Sequence, residues 1–182
     1  MRKVIFAINN TIDGFADHTT VIADDELHDF YTDLLKDVDV ILMGRKTYEL
    51  MENFWPVAYN DPGSTESMKR FADKINPMYK IVFSTTLKEV NWENSVLSDK
   101  ELPALVAELK NQNGKNIAAG SLSIASQLLK PNLIDEFWFV VQPIIAGEGV
   151  QLFDGFEERR DLKLINVKKF NSGVLALHYQ KK

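Results

Sequence analysis

The sequence predicts an α/β fold: a mixed, mostly parallel central sheet flanked by helices, with an antiparallel C-terminal hairpin. Two observations carry that prediction. Short, nearly all-apolar runs alternate with stretches whose apolar residues recur at helical spacing, which is the order of βα units. Toward the end the pattern changes, and Leu162–Phe170 and Val174–Gln180 alternate in strand fashion around Asn171-Ser172-Gly173, a hairpin signal.

Lys3–Asn9 reads as a buried strand that opens the sheet, and Asn10–Ala23 as a polar loop. Asp24 stands where a helix N-cap is needed, and Leu27, Phe30, Tyr31, Leu34, Leu35 and Val38 then recur on one helical face. Val38–Met43 is a second strand, apolar enough to be covered on both faces. Thr47–Glu52 is a short helix that ends before Phe54-Trp55-Pro56, and Asn60–Ser64 is turn-rich. Met68, Phe71, Ala72 and Ile75 mark the next amphipathic helix, and Tyr79–Phe83 a third inner strand closed by Ser84-Thr85-Thr86. A short Val96-Leu97 strand precedes a helix defined by Leu102, Leu105, Val106 and Leu109, with Gly114 beyond its end. Pro103 falls in its first turn, where a missing N–H is tolerated. Ile117–Ala119 is a fourth inner strand, Ser123–Lys130 a helix halted by Pro131, and Phe137–Val141 a long strand leading to Pro143 and the loop Ala146-Gly147-Glu148-Gly149. No linker, repeat or low-complexity tract interrupts residues 1–182, which read as a single domain.

A formal net charge of −5 excludes a general nucleic-acid binder, whose backbone contacts need a basic surface. Any anionic ligand must be held by a local positive cluster. With no cysteine there is no disulfide frame, thiol nucleophile or thiolate metal site, and the composition fits a reducing cytoplasm. Met1-Arg2-Lys3 runs straight into the first strand, too short and polar for a signal peptide, and no apolar stretch is long enough to span a bilayer.

Two strand-to-helix junctions carry glycine: Val38–Met43 into Gly44-Arg45-Lys46-Thr47, and Ile117–Ala119 into Gly120-Ser121-Leu122-Ser123. Each aims the unpaired N–H groups of a helix start, and the positive end of its dipole, at whatever lies beyond the strand, a setting suited to phosphate oxygens. A glycine at one such junction also simply closes a tight βα turn. Two junctions, one with Arg45 and Lys46 beside it, point to a ligand with several phosphates, such as a dinucleotide. Ligands of open α/β sheets bind outside the carboxyl ends of the strands, so Gly44, Ser84 and Gly120 are expected to rim one cleft.

Further motifs specify a family. Met43-Gly44-Arg45-Lys46-Thr47-Tyr48-Glu49 resembles the Gly-Arg-x-Thr helix start of dihydrofolate reductases, and Thr11-Ile12-Asp13-Gly14 resembles the Ser-x-Asp-Gly loop of the reductase domain of the bifunctional riboflavin-biosynthesis deaminase-reductase. Ile134-Asp135-Glu136-Phe137 through Pro143, then Gly147-Glu148-Gly149-Val150-Gln151-Leu152-Phe153, is similar to the signature of that second group. Phe54-Trp55-Pro56, Ser84-Thr85-Thr86-Leu87 and Ser172-Gly173-Val174 to Tyr179 match its stand-alone bacterial members, so the resemblance covers essentially the whole chain.

The resemblance implies a dihydrofolate-reductase-like fold, NADPH as hydride donor, a small-molecule substrate and a homodimer. It implies that Gly44, Arg45, Lys46 and Thr47 hold the cofactor at the first helix start, that Ser84 and Thr85 lie by the adenosine 2′-phosphate, and that Gly120, Ser121 and Leu122 cradle the pyrophosphate. Ala7 and Ile8, with the loop through Gly14, would line the nicotinamide pocket. Asp13 would orient that loop or relay a proton, with a plain turn role as the alternative. On the substrate side it implies His28 and Trp55 as contacts, Gly147 as a further anion site, and Asp29 as the available acid. Three positions depart from the pattern. His28 stands where folate reductases place their carboxylate, and Asp29, one residue on, faces about 100° away on a helix. Thr85 replaces a basic residue, and Ala119-Gly120 replaces a glycine pair. His18 and His178 have no metal-ligand partner at useful spacing and read as structural or solvated, and Phe137, Trp138 and Phe139 as packing residues.

The expected activity is that of an NADPH-dependent reductase resembling 5-amino-6-(5-phosphoribosylamino)uracil reductase of riboflavin biosynthesis, acting on a small heterocyclic or carbonyl compound. The alternatives are dihydrofolate reduction, which His28 disfavours, and a non-catalytic NADP-binding dimeric module.

Overall fold

A computed structural model describes residues 1–16 and 21–182; His18 lies outside the described residues. Eight strands are β1 (Val4–Thr11), β2 (Val38–Gly44), β3 (Tyr79–Phe83), β4 (Ser95–Leu97), β5 (Asn116–Ala119), β6 (Glu136–Gln142), β7 (Leu162–Lys169) and β8 (Leu175–Lys181). The helices are α1 (Asp25–Leu34), α2 (Arg45–Glu52), α3 (Glu66–Ile75), α4 (Leu102–Asn111) and α5 (Leu122–Leu129). The sheet order is β4-β3-β2-β5-β1-β6-β8-β7. The first six strands in that order run parallel, and β8 and β7 close the sheet as the antiparallel hairpin.

Alternation along the strands fills two cores. Val4, Phe6, Ile8, Leu42 and Ile117 face α4 and α5, meeting Val106, Ile124 and Leu128. Ile5, Ile41, Met43 and Val82 face the other way, toward Tyr48 of α2 and Phe71 and Ile75 of α3. Leu27 and Phe30 of α1 seat that helix on Val140, Phe170 and Ala176 at the hairpin side. No helix of the described residues is long and apolar enough to cross a membrane.

Most element bounds shift by a residue or so from expectation, and three shifts have a clear structural reason. β1 continues through Asn10 and Thr11 because these pair with Val141 and Gln142 of β6. Val38 leaves the helical face and starts β2, because α1 ends at Leu34 and a 3-10 turn, Leu35–Asp37, redirects the chain. α2 starts at Arg45, with Gly44 as its N-cap, so Arg45 and Lys46 occupy its first turn. Lys80 of β3 is fully buried. Its Nζ donates to the carbonyls of Asn76 (2.7 Å), Met78 (2.9 Å) and Glu93 (3.0 Å), tying β3 to the segments on either side of it.

Candidate active site

The parallel pairing of β5 with β2, and of β2 with β3, brings three carboxyl ends to one edge of the sheet. Gly44 there packs directly against the start of α5. A Cβ built on Gly44 would lie 2.4 Å from Ser123 Oγ and 2.8 Å from Ser121 Oγ, so the two helix starts touch only because residue 44 has no side chain. Asp24 caps α1 and Thr65 caps α3, each accepting a first-turn amide hydrogen through its side chain. Neither Gly44 of α2 nor Ser121 of α5 does so. Two sets of unpaired amides therefore converge on one place.

That place is a cleft of two joined compartments, which share Ile8, Asn9, Thr47 and Gly120. The polar compartment, about 750 Å³, includes Arg45, Lys46, Ser84, Thr85, Ser121 and Leu122 in its walls. The apolar compartment, about 510 Å³, runs beneath α1 and α2 along Ala7, Ile41 and Met43 to His28, Trp55 and Phe71. The structure thus brings Ala7, Gly44, Arg45, Lys46, Thr47, Ser84, Thr85, Gly120, Ser121, Leu122, His28 and Trp55 to the cleft or its rim. A Cβ on Gly120 would meet only the Ala7 carbonyl, at 3.7 Å, an ordinary contact. The protein's own packing therefore does not demand glycine at residue 120, and close approach by a ligand would.

Side-chain roles follow from partners. Arg45 Nη1 donates to Glu49 Oε2 at 2.9 Å along α2, an exposed pair of the kind that contributes little and exchanges readily. Lys46 makes no ion pair among the described residues. Ser84 Oγ accepts from the amides of Thr86 (3.1 Å) and Leu87 (2.9 Å), which fixes the turn after β3.

Asp13 clamps two loops together. Its Oδ1 accepts from the Thr11 hydroxyl at 2.6 Å and the Ala146 amide at 3.1 Å, and its Oδ2 from the Gly147 amide at 2.8 Å. The Thr11 hydroxyl, then the Gly147 amide, pull its carboxyl down to about 2, so at neutral pH it is an acceptor and not an acid. Gly14 and Gly147 both take positive φ (+84° and +77°) and lie on these loops, outside the walls of either compartment. Gly147 is thus held by a carboxylate, an arrangement opposed to the anion site expected of it.

Asp29 is not in the cleft. It accepts from Arg70 Nη2 at 2.6 Å on the exposed side of α1 and α3, the position that one further residue of helical rotation from His28 dictates. The imidazole of His28 lines the apolar compartment, in contact with Trp55 (ring centroids 5.8 Å apart) and Phe71 (6.4 Å). Burial lowers its pKa against the opposing pull of the Asp24 carbonyl and the Asp25 carboxylate, so the ring is neutral at neutral pH.

Several wall residues escaped the sequence reading. Tyr31 and Phe71 were legible only as core positions of helices, Phe54 only as part of the Phe54-Trp55-Pro56 motif, and Asn9 only as the end of a strand. Ser98, Asp99, Lys100 and Glu101 close the polar compartment after β4. The strand-end rule that located Gly44 applies to them equally, but a strand of three residues draws no attention. His178 stacks on Trp138 with centroids 4.1 Å apart and has its Nε2 3.2 Å from Glu136 Oε2, a structural setting.

Comparison with known proteins places this geometry in context. The profile of the RibD C-terminal domain family matches residues 2–176. The uncharacterized protein YyaP of Bacillus subtilis (strain 168) is 32% identical over 184 residues, covering 98% of this chain and 94% of that protein. A putative riboflavin biosynthesis protein from Shewanella sp. PV-4 has the same fold, with a TM-score of 0.72 at 20% identity over 100% of this chain and 99% of that one. The diaminohydroxyphosphoribosylaminopyrimidine deaminase/5-amino-6-(5-phosphoribosylamino)uracil reductase of Thermotoga maritima superposes with a TM-score of 0.67 at 18% identity, over 100% of this chain and 57% of that one.

Proposed function

The chain belongs to the RibD C-terminal domain family, and from that premise we propose that it is an NADPH-dependent reductase acting on a small heterocyclic or carbonyl substrate. The observation that carries this reading is the pair of uncapped helix starts in mutual contact at Gly44, with Gly120 bare beside them. Amides of residues 44–47 and 120–123 would hold the phosphates, and the Ser84-Thr85 turn with Arg45 and Lys46 would hold the 2′-phosphate end. Ala7, Ile8 and Asn9 would face the nicotinamide where the compartments meet. NADPH, when bound, supplies the hydride, and the protein supplies placement and electrostatics. Asp13, ionised and engaged by the Thr11 hydroxyl and the amides of Ala146 and Gly147, holds the loop after β1 against the loop after β6.

Titration with NADPH, followed by energy transfer from tryptophan to nicotinamide, tests the reading. Saturable binding at sub-millimolar concentration is expected, and its absence overturns the assignment. Arg45→Ala should weaken NADPH about tenfold to a hundredfold and NADH little, since charge-assisted hydrogen bonds contribute roughly 1.5–3 kcal/mol. Equal losses for both cofactors would remove the phosphate role of Arg45. NADPH binding without oxidation across a carbonyl and pteridine panel would mark a non-catalytic module. Dihydrofolate reduction has little to support it, because no aspartate or glutamate stands among the described residues lining the apolar compartment.

A further inference from the structure

The two compartments divide polar chemistry unequally. Among the described residues, every lysine and arginine that lines the cleft, Arg45, Lys46 and Lys100, belongs to the polar compartment. The described lining of the apolar compartment has no lysine, arginine, aspartate or glutamate. Asn9 and Thr47 sit at the junction, which leaves His28, Tyr31 and the indole N–H of Trp55 as the polar side-chain groups of the interior among the described residues. The Tyr31 hydroxyl lies beside the Asn9 side chain, its pKa raised by burial. His28 Nδ1 is buried without a hydrogen-bond partner, and its ring is neutral at neutral pH. Around them Phe54, Trp55 and Phe71 form a chain of edge contacts with centroids 4.9 Å and 4.5 Å apart.

A phosphorylated sugar lying in the interior, away from the junction at Thr47 and Gly120, would lose its water and find no lysine or arginine among the described lining to replace it, a transfer that is strongly unfavourable. A neutral ring would meet aromatic edges and aliphatic side chains on every side, in a volume within the ordinary range of small-molecule sites. We propose, resting on the reductase reading above, that the substrate is an uncharged ring compound with a largely apolar body and one reducible C=O or C=N group, and not a sugar phosphate. Its body lies against Trp55 and Phe71, and its polar group at the junction by Asn9 and Thr47. The carbon of that group accepts the hydride, the heteroatom takes a proton from water, and the cofactor leaves oxidised.

The test uses the full chain and the uncharged fluorophore N-phenyl-1-naphthylamine, titrated with and without saturating NADPH. Expected are a saturable rise in fluorescence in both conditions and displacement by 2-naphthaldehyde but not by ribose 5-phosphate. Trp55→Ala, native by circular dichroism, should weaken the probe about tenfold through loss of a large aromatic contact, and Trp55→Phe much less. Absence of saturable binding, displacement by ribose 5-phosphate at the concentrations effective for the aldehyde, or an unchanged affinity in folded Trp55→Ala would each overturn the proposal. The displacement series on the unaltered protein decides the matter if Trp55→Ala fails to fold. NADPH affinity is read separately from nicotinamide fluorescence. Probe binding as expected without NADPH binding would reject the reductase reading and leave the apolar ligand class standing.

Discussion

At the scale of single residues, two glycines at the cleft differ in what an added methyl group would meet. At Gly44 a Cβ would intrude on Ser121 and Ser123, whose hydroxyls are themselves 3.1 Å apart. Gly44→Ala should force α2 and α5 apart, lowering stability by about 1–3 kcal/mol, as overpacking commonly does, and weakening NADPH together with it. At Gly120 the same methyl finds ordinary contact distance. Gly120→Ala should leave the chemical-denaturation midpoint within about 0.5 kcal/mol of the parent, while NADPH affinity falls. Denaturation and NADPH titration of both variants check the contrast, and a stability loss at Gly120 matching that at Gly44 would show that both positions are packing sites. Both glycines stood out in the sequence as apolar run followed by helix. What each one meets did not, because Ser121 and Ser123 reach Gly44 only through the pairing of β5 beside β2. His28 and Asp29 make the complementary point. Helical rotation alone told them apart, and the structure places one in the apolar compartment and the other on Arg70.

At the scale of elements, periodicity located nearly every strand and helix, and β3 coincides with its expected span, Tyr79–Phe83. Apolar spacing is a local signal, so it survives without knowledge of neighbours. The site is built from ends and loops, where local signals fade, and the Asp13 clamp shows why. An Asp-Gly pair reads as a turn, yet its carboxylate binds amides of residues 146 and 147, far along the chain. Ile12 donates to the Ile144 carbonyl at 2.9 Å and Ala16 to that of Val150 at 2.8 Å, so the clamp sits within a wider seam between the two loops. The pH dependence has a definite sign. The carboxyl pKa is depressed in the folded chain, so the clamp is intact above the ordinary aspartate range and is lost as pH falls through that range toward 2. Hydrogen exchange of peptides covering residues 143–150 should show protection at neutral pH that fades only under such acid conditions. In Asp13→Asn the protection should be reduced at neutral pH and should lose this acid dependence, matching the parent once its clamp is protonated. Unaltered protection in that variant would mean that the backbone seam alone holds the loops.

At the scale of the whole molecule, the sheet has two unlike edges. β4 ends it with three residues, a length that offers little to a partner. β7 ends it with eight, and among the described residues pairs only with β8. On β7, Leu164, Ile165 and Val167 are 50%, 41% and 47% exposed, an apolar content unusual for a long edge strand facing water. Strand order could not be read from the sequence, because apolar spacing says nothing about which strand lies outermost. The alternation of Leu162–Phe170 therefore signalled a hairpin without signalling its open side. We propose that β7 meets β7 of a second copy about a twofold axis, which pairs the strands antiparallel and covers the same side chains on both. The cleft opens at the carboxyl ends of β2, β3 and β5, and β1, β6 and β8 separate those strands from β7, so this contact leaves both compartments of the cleft accessible. Leu164→Lys with Val167→Lys should yield a folded monomer by sedimentation velocity, with NADPH affinity within about twofold of the parent, as expected for changes remote from the ligand. A monomeric parent protein would rule the dimer out, and a charged variant that sediments as a dimer would locate the assembly elsewhere on the surface.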